Sequence, residues 1–356
     1  MNRVYLDHNA TTPLRAEARA AMISAMDVVG NPSSVHAEGR AAKGLVETAR
    51  AQVAEAVGAS GADVVFVSGA TEAAALCLAG RGLQASGLEH AAVAAWVEAT
   101  LPVIDGRVDV HDPARSTVQL ANSETGLVQD LPQGLAVSDL TQGFGKVPFS
   151  FAWSGVQMVF LSAHKFGGPK GVGALIMPAG TDLAAQIKGG GQEMGRRSGT
   201  ENVMAIAGFG AAAKAAQQDL ADGRWERVAQ LRNILEKAIE TSAEQTIFVG
   251  KDYTRLPNTS CFIAKGWKGE TQVMALDLAG FAISAGSACS SGKVKASPVL
   301  AALGYSDDDA RCAVRVSLGI ETTEDEVLRF AQAWTQKHAR ANAGLRSKTN
   351  GDCRSS

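Results

Sequence analysis

Cysteine is scarce: five residues in 356, at positions 77, 261, 289, 312 and 353. The count is odd and no two form a Cys-x-x-Cys pair, which excludes a disulfide framework or zinc knuckle and leads us to expect free thiols in a reducing cytoplasm. Charge of one sign is not in excess either. Against 34 lysines and arginines stand 36 acids, a net charge of -2, so no electrostatic footprint exists for nucleic acid or a membrane surface. Long apolar runs are missing as well. The uncharged stretch from Val147 to Ala163 is broken by Pro148, Gly155 and Gln157, whereas a membrane span needs about 20 apolar residues. The opening MNRVYLDHNATTPL lacks the apolar segment of a signal peptide.

What the chain does have is an ordinary globular balance, 46% hydrophobic and 20% charged. At roughly 100 to 200 residues per domain, its length suggests two domains. Glycine is in excess, 38 residues clustered in a few loops, and such loops are where backbone approaches ligands. Leu14, Ala18, Met22, Met26 and Val29 recur at helical spacing, as do Leu45, Val46, Ala49, Val53 and Val57, predicting amphipathic helices over 14–29 and 45–57. A β-rich run at 62–68, the turn at Gly69 and an apolar stretch at 73–79 read as strand, glycine turn and helix. Short apolar runs at 117–120, 135–137, 156–161 and 172–177 read as buried strands of a mostly parallel α/β sheet flanked by helices. Helices are expected over 202–222 and 224–242, strands over 246–249, 259–263, 281–284 and 313–318, and a final helix behind the capping box Thr323-Glu-Asp-Glu326. The expected organisation is a large domain over 15–245, a smaller α+β domain from 1–14 and 246–340, and a disordered basic tail over 341–356.

Four clusters carry chemistry. Ser68-Gly-Ala-Thr71 lies where a strand feeds a helix, so backbone N–H groups and the Thr71 hydroxyl can hold an anion, although an ordinary turn reads the same way. Lys165, in Ser162-Ala-His-Lys165, ends a buried strand beside a glycine-rich loop. Desolvation there favours the neutral amine that condenses with an aldehyde, while the plainer reading is a solvated loop lysine. Asp139, in Asp139-Leu-Thr-Gln142, is either a turn former or the partner of a protonated pyridine ring. Cys289 sits in the small polar loop Ser284-Ala-Gly-Ser-Ala-Cys-Ser-Ser-Gly292, which suits a nucleophilic thiol, whereas Cys77, Cys261 and Cys312 lie in apolar runs and read as packing.

The segments YLDHNATTP (5–13), GNPSSVHAEGR (30–40), SGATEAAAL (68–76), SAHKFGGPKGVGAL (162–175), GGGQEMGRRSGTENV (189–203), SAGSACSSG (284–292) and VRVSLGIETTEDE (314–326) together resemble the pyridoxal-phosphate cysteine desulfurases of the class V aminotransferase group. The spacing from Cys289 to Ser297-Pro-Val-Leu300 is similar to that of its NifS-like and IscS-like members. The resemblance covers residues 4 to about 335 and implies the PLP-dependent transferase fold type I. It implies that Lys165 holds pyridoxal 5'-phosphate as an imine and later moves the Cα proton. His90 would stack on the pyridine ring, Asp139 pair with its nitrogen and Gln142 with its hydroxyl. Thr71, Ser162 and His164 would bind the phosphate, with Ala70 beside them and Thr200 reaching in from the second subunit of a homodimer. Arg315 would clamp the carboxylate of L-cysteine next to Asn122, and Cys289 would take the sulfur as a persulfide, leaving L-alanine. An iron-sulfur scaffold or a thiolation protein would then accept the sulfur.

The chain departs from that pattern in places. Ser123, in Asn122-Ser-Glu-Thr-Gly126, stands where the family has a second asparagine. Segments 81–89, 103–117 and 129–139 are short: the first is expected to lack its strand, and the last has no room for both a helix and a strand. Selenocysteine lyase or another cysteine lyase therefore stays open, as does a non-catalytic paralogue acting as a sulfur-transfer partner.

Overall fold

The computed structural model describes residues 3–286 and 296–352, with side chains up to residue 343. The chain packs as two units, one of residues 11–123 and 128–223, the other of residues 3–10, 124–127 and the chain from Arg224 onward.

The first unit is built on an α/β sheet. Its neighbours run Glu98–Leu101, Gln84–Ser86, the segment 116–120, Ser138–Asp139, Val159–Ser162, Gly173–Met177 and Asp63–Val67. Pairing is parallel as far as Val159–Ser162, carried through segment 116–120 by the bridges Gln84↔Ser116 and Thr117↔Val137. Gly173–Met177 runs against both its neighbours. The sheet is thus mostly parallel, as expected, with one reversed strand. Alternation along the strands feeds two cores: Phe66, Leu161 and Ile176 pack with Val46, Val53 and Phe209 of the helices Ala37–Ala56 and Val203–Ala221. Val65, Val67, Phe160 and Leu175 face the helix Ala70–Leu78 through Ala74 and Leu78.

Several boundaries move. The helix Ala37–Ala56 starts well before the 45–57 periodicity, because the His36 side chain caps Gly39 N and its first turns are largely solvent-facing, which leaves no apolar stripe to read. The strand expected at 135–137 falls at Ser138–Asp139. The run 281–284 divides into Phe281–Ala282, parallel to Val4–Tyr5, and Ser284–Ala285, antiparallel to Ala313–Ser317. Segment 81–89, expected to lack a strand, holds Gln84–Ser86, since three residues suffice when pairing runs along both edges. Segment 129–139 keeps the strand Ser138–Asp139 and holds no helix, as its length implied. The hairpin Val103–Ile104/Arg107–Val108 and the 3-10 turn Pro113–Arg115 serve one crossover, and a turn closed by Leu135 N to Pro132 O serves the next.

In the second unit an antiparallel sheet runs Ile247–Phe248, Thr259–Ile263, Ala313–Ser317, Ser284–Ala285. The helix Arg224–Ser242, which the sequence assigned to the large domain, belongs here, because Val228, Leu231, Leu235 and Ile239 share a core with Phe262, Val316 and Trp334. The capping box forms as read: Thr323 N donates to Glu326 Oε2 (2.9 Å) and Glu326 N to Thr323 Oγ1 (3.3 Å). Residues 341–352 of the expected tail continue the helix Glu324–Asp352, and residues 353–356 lie outside the described residues. His338 stacks on Trp334 with ring centroids 4.8 Å apart, anchoring the last packed turn, and the residues beyond include good helix formers. No helix among the described residues is long and apolar enough to cross a membrane.

Candidate active site

Lys165 owes its position to the strand Val159–Ser162, which ends in the 3-10 turn Ala163–Lys165. Two threonines hold that turn. Thr12 N donates to His164 O and Thr12 Oγ1 to Lys165 O, both at 2.9 Å, while Thr11 Oγ1 lies 3.0 Å from His164 Nδ1. On the adjoining parallel strand Asp139 is level with Phe160, and its Oδ1 accepts from Thr141 N at 2.7 Å. Burial raises the Asp139 pKa, opposed by its bonds from Thr141 and by the charges of His90 and Lys165. His90 caps the short helix Ala91–Ala94, its Nδ1 accepting from Ala92 N (3.1 Å), so the neutral ring carries its proton on Nε2. Burial lowers the His90 pKa and Lys165 adds to this, against the pull of Asp139. An amine, a carboxylate and an imidazole therefore converge within one electrostatic neighbourhood.

Gln142 is fixed by a residue the sequence reading passed over. The buried Lys146 donates through Nζ to Gln142 Oε1 at 3.0 Å. A lysine can only donate, so the amide oxygen faces Lys146 and Nε2 is the amide's donor.

At that same end of Val159–Ser162 stands a set of groups that can hold an anion. The helix Ala70–Leu78 starts behind Gly69 with no side-chain cap, and a Cβ on Gly69 would lie 3.6 Å from Ser162 Oγ, so the serine hydroxyl stands at the helix N-terminus. Ala70 and Thr71 belong to the first turn, whose N–H groups and dipole favour an anion. Glu72 is turned aside: its carboxylate accepts from Ser68 N (2.7 Å) and Arg197 Nε (2.8 Å). Burial drives the His164 pKa down to about 4, helped by Lys165 and Lys170, so His164 is neutral at physiological pH. Thr200 is exposed and lines a cavity with Ser68, Glu193 and Arg197.

Within the second unit, Arg315 Nη2 donates to Asp7 Oδ1 at 2.7 Å while Ser284 Oγ donates to Asp7 Oδ2 at 2.9 Å. Asn122 belongs to the first unit, where Nδ2 donates to Leu88 O (2.9 Å) and ties the strand end to the turn before His90. Cys289 lies outside the described residues. Cys77, Cys261 and Cys312 are buried, as their apolar settings implied, and burial pushes the Cys77 thiol up to about 12.

Three acids escaped the sequence reading. Glu89 Oε1 accepts from the buried Gln119 N at 2.7 Å. Glu193 takes both Arg50 guanidinium nitrogens (2.9 Å each) and Phe66 N (2.8 Å), from a backbone at φ 49°. Glu124 accepts from Ser297 Oγ at 2.7 Å. Only the acid's place inside an otherwise matched motif could have flagged each one.

The family model described as Aminotransferase class-V matches residues 4–100 and 114–330. A cysteine desulfurase of Cereibacter sphaeroides is 38% identical, over 93% of this chain and 95% of its own. The cysteine desulfurase IscS of Dictyoglomus turgidum is 35% identical over 91% of each. Among solved structures, a NifS-like protein from Rickettsia africae ESF-5 aligns with a TM-score of 0.85 at 30% identity, covering 94% of this chain and 99% of that one. The chain belongs to the class-V aminotransferase family, in the branch whose named relatives are cysteine desulfurases.

Proposed function

We propose that the protein is a pyridoxal 5'-phosphate-dependent desulfurase that removes sulfur from L-cysteine, releases L-alanine and hands the sulfur from Cys289 to an acceptor protein. The observation that carries this is the convergence of Lys165, Asp139 and His90 beside an uncapped helix N-terminus. These donors fit the cofactor: amides, two hydroxyls and a neutral histidine for a phosphate, a buried carboxylate for a ring nitrogen, an amide N–H for a ring hydroxyl, and an amine for the aldehyde. When bound, pyridoxal phosphate supplies the electron sink that lets a Cα–H bond ionise.

This chain's own residues do the rest. Lys165, held at its turn by Thr12, takes and returns the Cα proton. Asp139 keeps a positive charge on the ring nitrogen, and its burial strengthens that interaction. His90 covers the ring face. Arg315, oriented by Asp7, receives the α-carboxylate through a planar fork. The sheet persists despite the trimmed crossovers and this chain keeps its own share of the anion-holding groups, which speaks against a non-catalytic paralogue.

Thr200, exposed on its glycine-rich loop, supports a homodimer in which each chain completes the other's phosphate site. The enzyme works in the cytoplasm, and the acceptor is an iron-sulfur scaffold or a thiolation protein. Holoenzyme given L-cysteine and a thiol reductant should release sulfide and alanine in equal amounts, and Cys289→Ser should release neither above a background rate. Wild-type sulfide release by Cys289→Ser would refute the desulfurase reading. An active monomer with bound cofactor in sedimentation would refute the shared site.

A further inference from the structure

We propose that Glu124 is a positioning residue that clasps both ends of the segment carrying Cys289, one carboxylate oxygen bonded at Ser297 and the other seated over Gly286. The structural part of this stands alone, while its effect on turnover rests on Cys289 being the sulfur acceptor.

The argument starts with an excursion of the chain. Residues 124–127 leave the first unit and pack with the second for four residues only. Backbone fixes them there: Leu256 N donates to Gly126 O at 2.7 Å, Leu127 forms a bridge with Arg255, and Gly126 adopts φ 79°. A Cβ on Gly126 would fall 2.8 Å from Thr259 Cβ, so the close approach to that strand requires glycine. Glu124 is thereby delivered from a rigid point.

Its carboxylate then meets both ends of one segment. Ser297, 2% exposed, donates its single hydroxyl proton to Glu124 Oε2 at 2.7 Å. The same oxygen atom of Ser297 accepts from Leu300 N (3.2 Å) and caps the helix Pro298–Ala302, so the hydroxyl cannot turn elsewhere without losing the cap. At the other end Gly286 N donates to Ala313 O at 3.0 Å. A Cβ on Gly286 would lie 2.7 Å from Glu124 Oε1 and 3.0 Å from Ala313 Cβ, so the carboxylate stands directly over that glycine.

A carboxylate bonded at Ser297 and standing over Gly286 holds these two described ends at a fixed separation, which limits the ways the chain between them can close. Among the described residues, the groups that face Glu124 include Ser297, the Arg315 guanidinium, itself paired with Asp7, and the Cys261 thiol. Burial raises the Glu124 pKa to about 7, with Ser297 and Arg315 opposing it. The clasp therefore changes charge near neutrality and should tighten as pH rises, since a carboxylate accepts more strongly than a carboxylic acid.

Hydrogen–deuterium exchange on the holoenzyme tests this in the parent, Glu124→Ala, Glu124→Gln, Ser297→Ala and Ser297→Thr. Peptides at the two segment ends should exchange at least five-fold faster in Glu124→Ala and Ser297→Ala, with the strand Thr259–Ile263 unchanged. Glu124→Gln and Ser297→Thr, which keep an acceptor and a hydroxyl, should stay within two-fold of the parent. Protection at the segment ends should rise with pH through neutrality in the parent and stay flat in Glu124→Gln. In turnover, Glu124→Ala should lose at least ten-fold in kcat for sulfide release while the KM for cysteine moves less than three-fold. Parental exchange at both ends in Glu124→Ala overturns the clasp. If that variant also loosens Thr259–Ile263, Ser297→Ala decides, and parental exchange there overturns it equally. A parent that releases no sulfide would refute the desulfurase reading, while the clasp would still stand or fall on the exchange rates alone.

Discussion

Replacing Glu89 by glutamine removes an ionisation that the fold opposes. The side chain is 5% exposed, and Oε1 accepts from Gln119 N, while Oε2 has no hydrogen-bond partner among the described residues. Burial raises its pKa from 4.5 to about 8, the negative charge of Asp139 adds to this, and the Gln119 bond opposes it. Between those two values the folded protein holds a proton that the unfolded chain has released. Stability from this group is therefore complete below the unfolded value and is lost as pH rises toward the folded one. Each unit of separation is worth about 1.4 kcal/mol, so the parent should lose about 2–3 kcal/mol from this residue between about pH 5.5 and about pH 7.5. Glutamine keeps the acceptor for Gln119 N and cannot ionise. Urea unfolding of parent and Glu89→Gln across that range should show the variant gaining by this amount at the alkaline end, with the two converging at the acid end. Parallel pH curves would show that Glu89 is already ionised in the fold and would refute the reasoning.

Lys165→Ala should abolish the visible absorbance of the enzyme incubated with pyridoxal phosphate, and borohydride should trap no cofactor on the chain; a trapped adduct would move the amine elsewhere. Asp139→Asn should keep cofactor yet slow the loss of a Cα deuteron from labelled cysteine by about 10²-fold, because an amide cannot hold the ring nitrogen charged; an unchanged rate would remove Asp139 from that role. Arg50→Met leaves the Glu193 carboxylate, whose side chain is 2% exposed, with Phe66 N as its one hydrogen-bond donor among the described residues and the Arg197 charge farther off. It should cost about 3–5 kcal/mol in urea unfolding, as breaking a buried ion pair does, and a loss under about 1 kcal/mol would mean the pair contributes little.

Where a segment's pattern is local, the sequence sufficed. Asn202 and Asp222 bound the helix Val203–Ala221 and Thr323 and Glu326 open the last one because capping is decided within a turn or two. The strands Asp63–Val67 and Gly173–Met177 came out within a residue because both are buried runs closed by glycine or proline. Gln84–Ser86 could not be read, since it is a strand only by virtue of its neighbours on both edges. Lys165, Asp139 and His90 do cluster; the residue types of Lys165 and Asp139 left a cofactor role and a plain loop role both open, while His90 and Gln142 were singled out only by the resemblance. Lys146 and Glu124 stayed hidden for a different reason. Each acts through a single partner, Gln142 or Ser297, whose proximity only the folded backbone creates.

The split membership of the first ten residues has a consequence for synthesis. Val4–Tyr5 pairs with Phe281–Ala282, and Asp7 bonds Arg315 and Ser284. Residues 4–7 thus wait for partners made much later in the chain, and so do residues 124–127. The intervening unit holds its own sheet and can fold while translation continues. The Asp7–Arg315 pair is consequently among the last contacts to form. A nascent chain can therefore build the sheet that carries Asp139 and Lys165 well before Asp7 has Arg315 to bond.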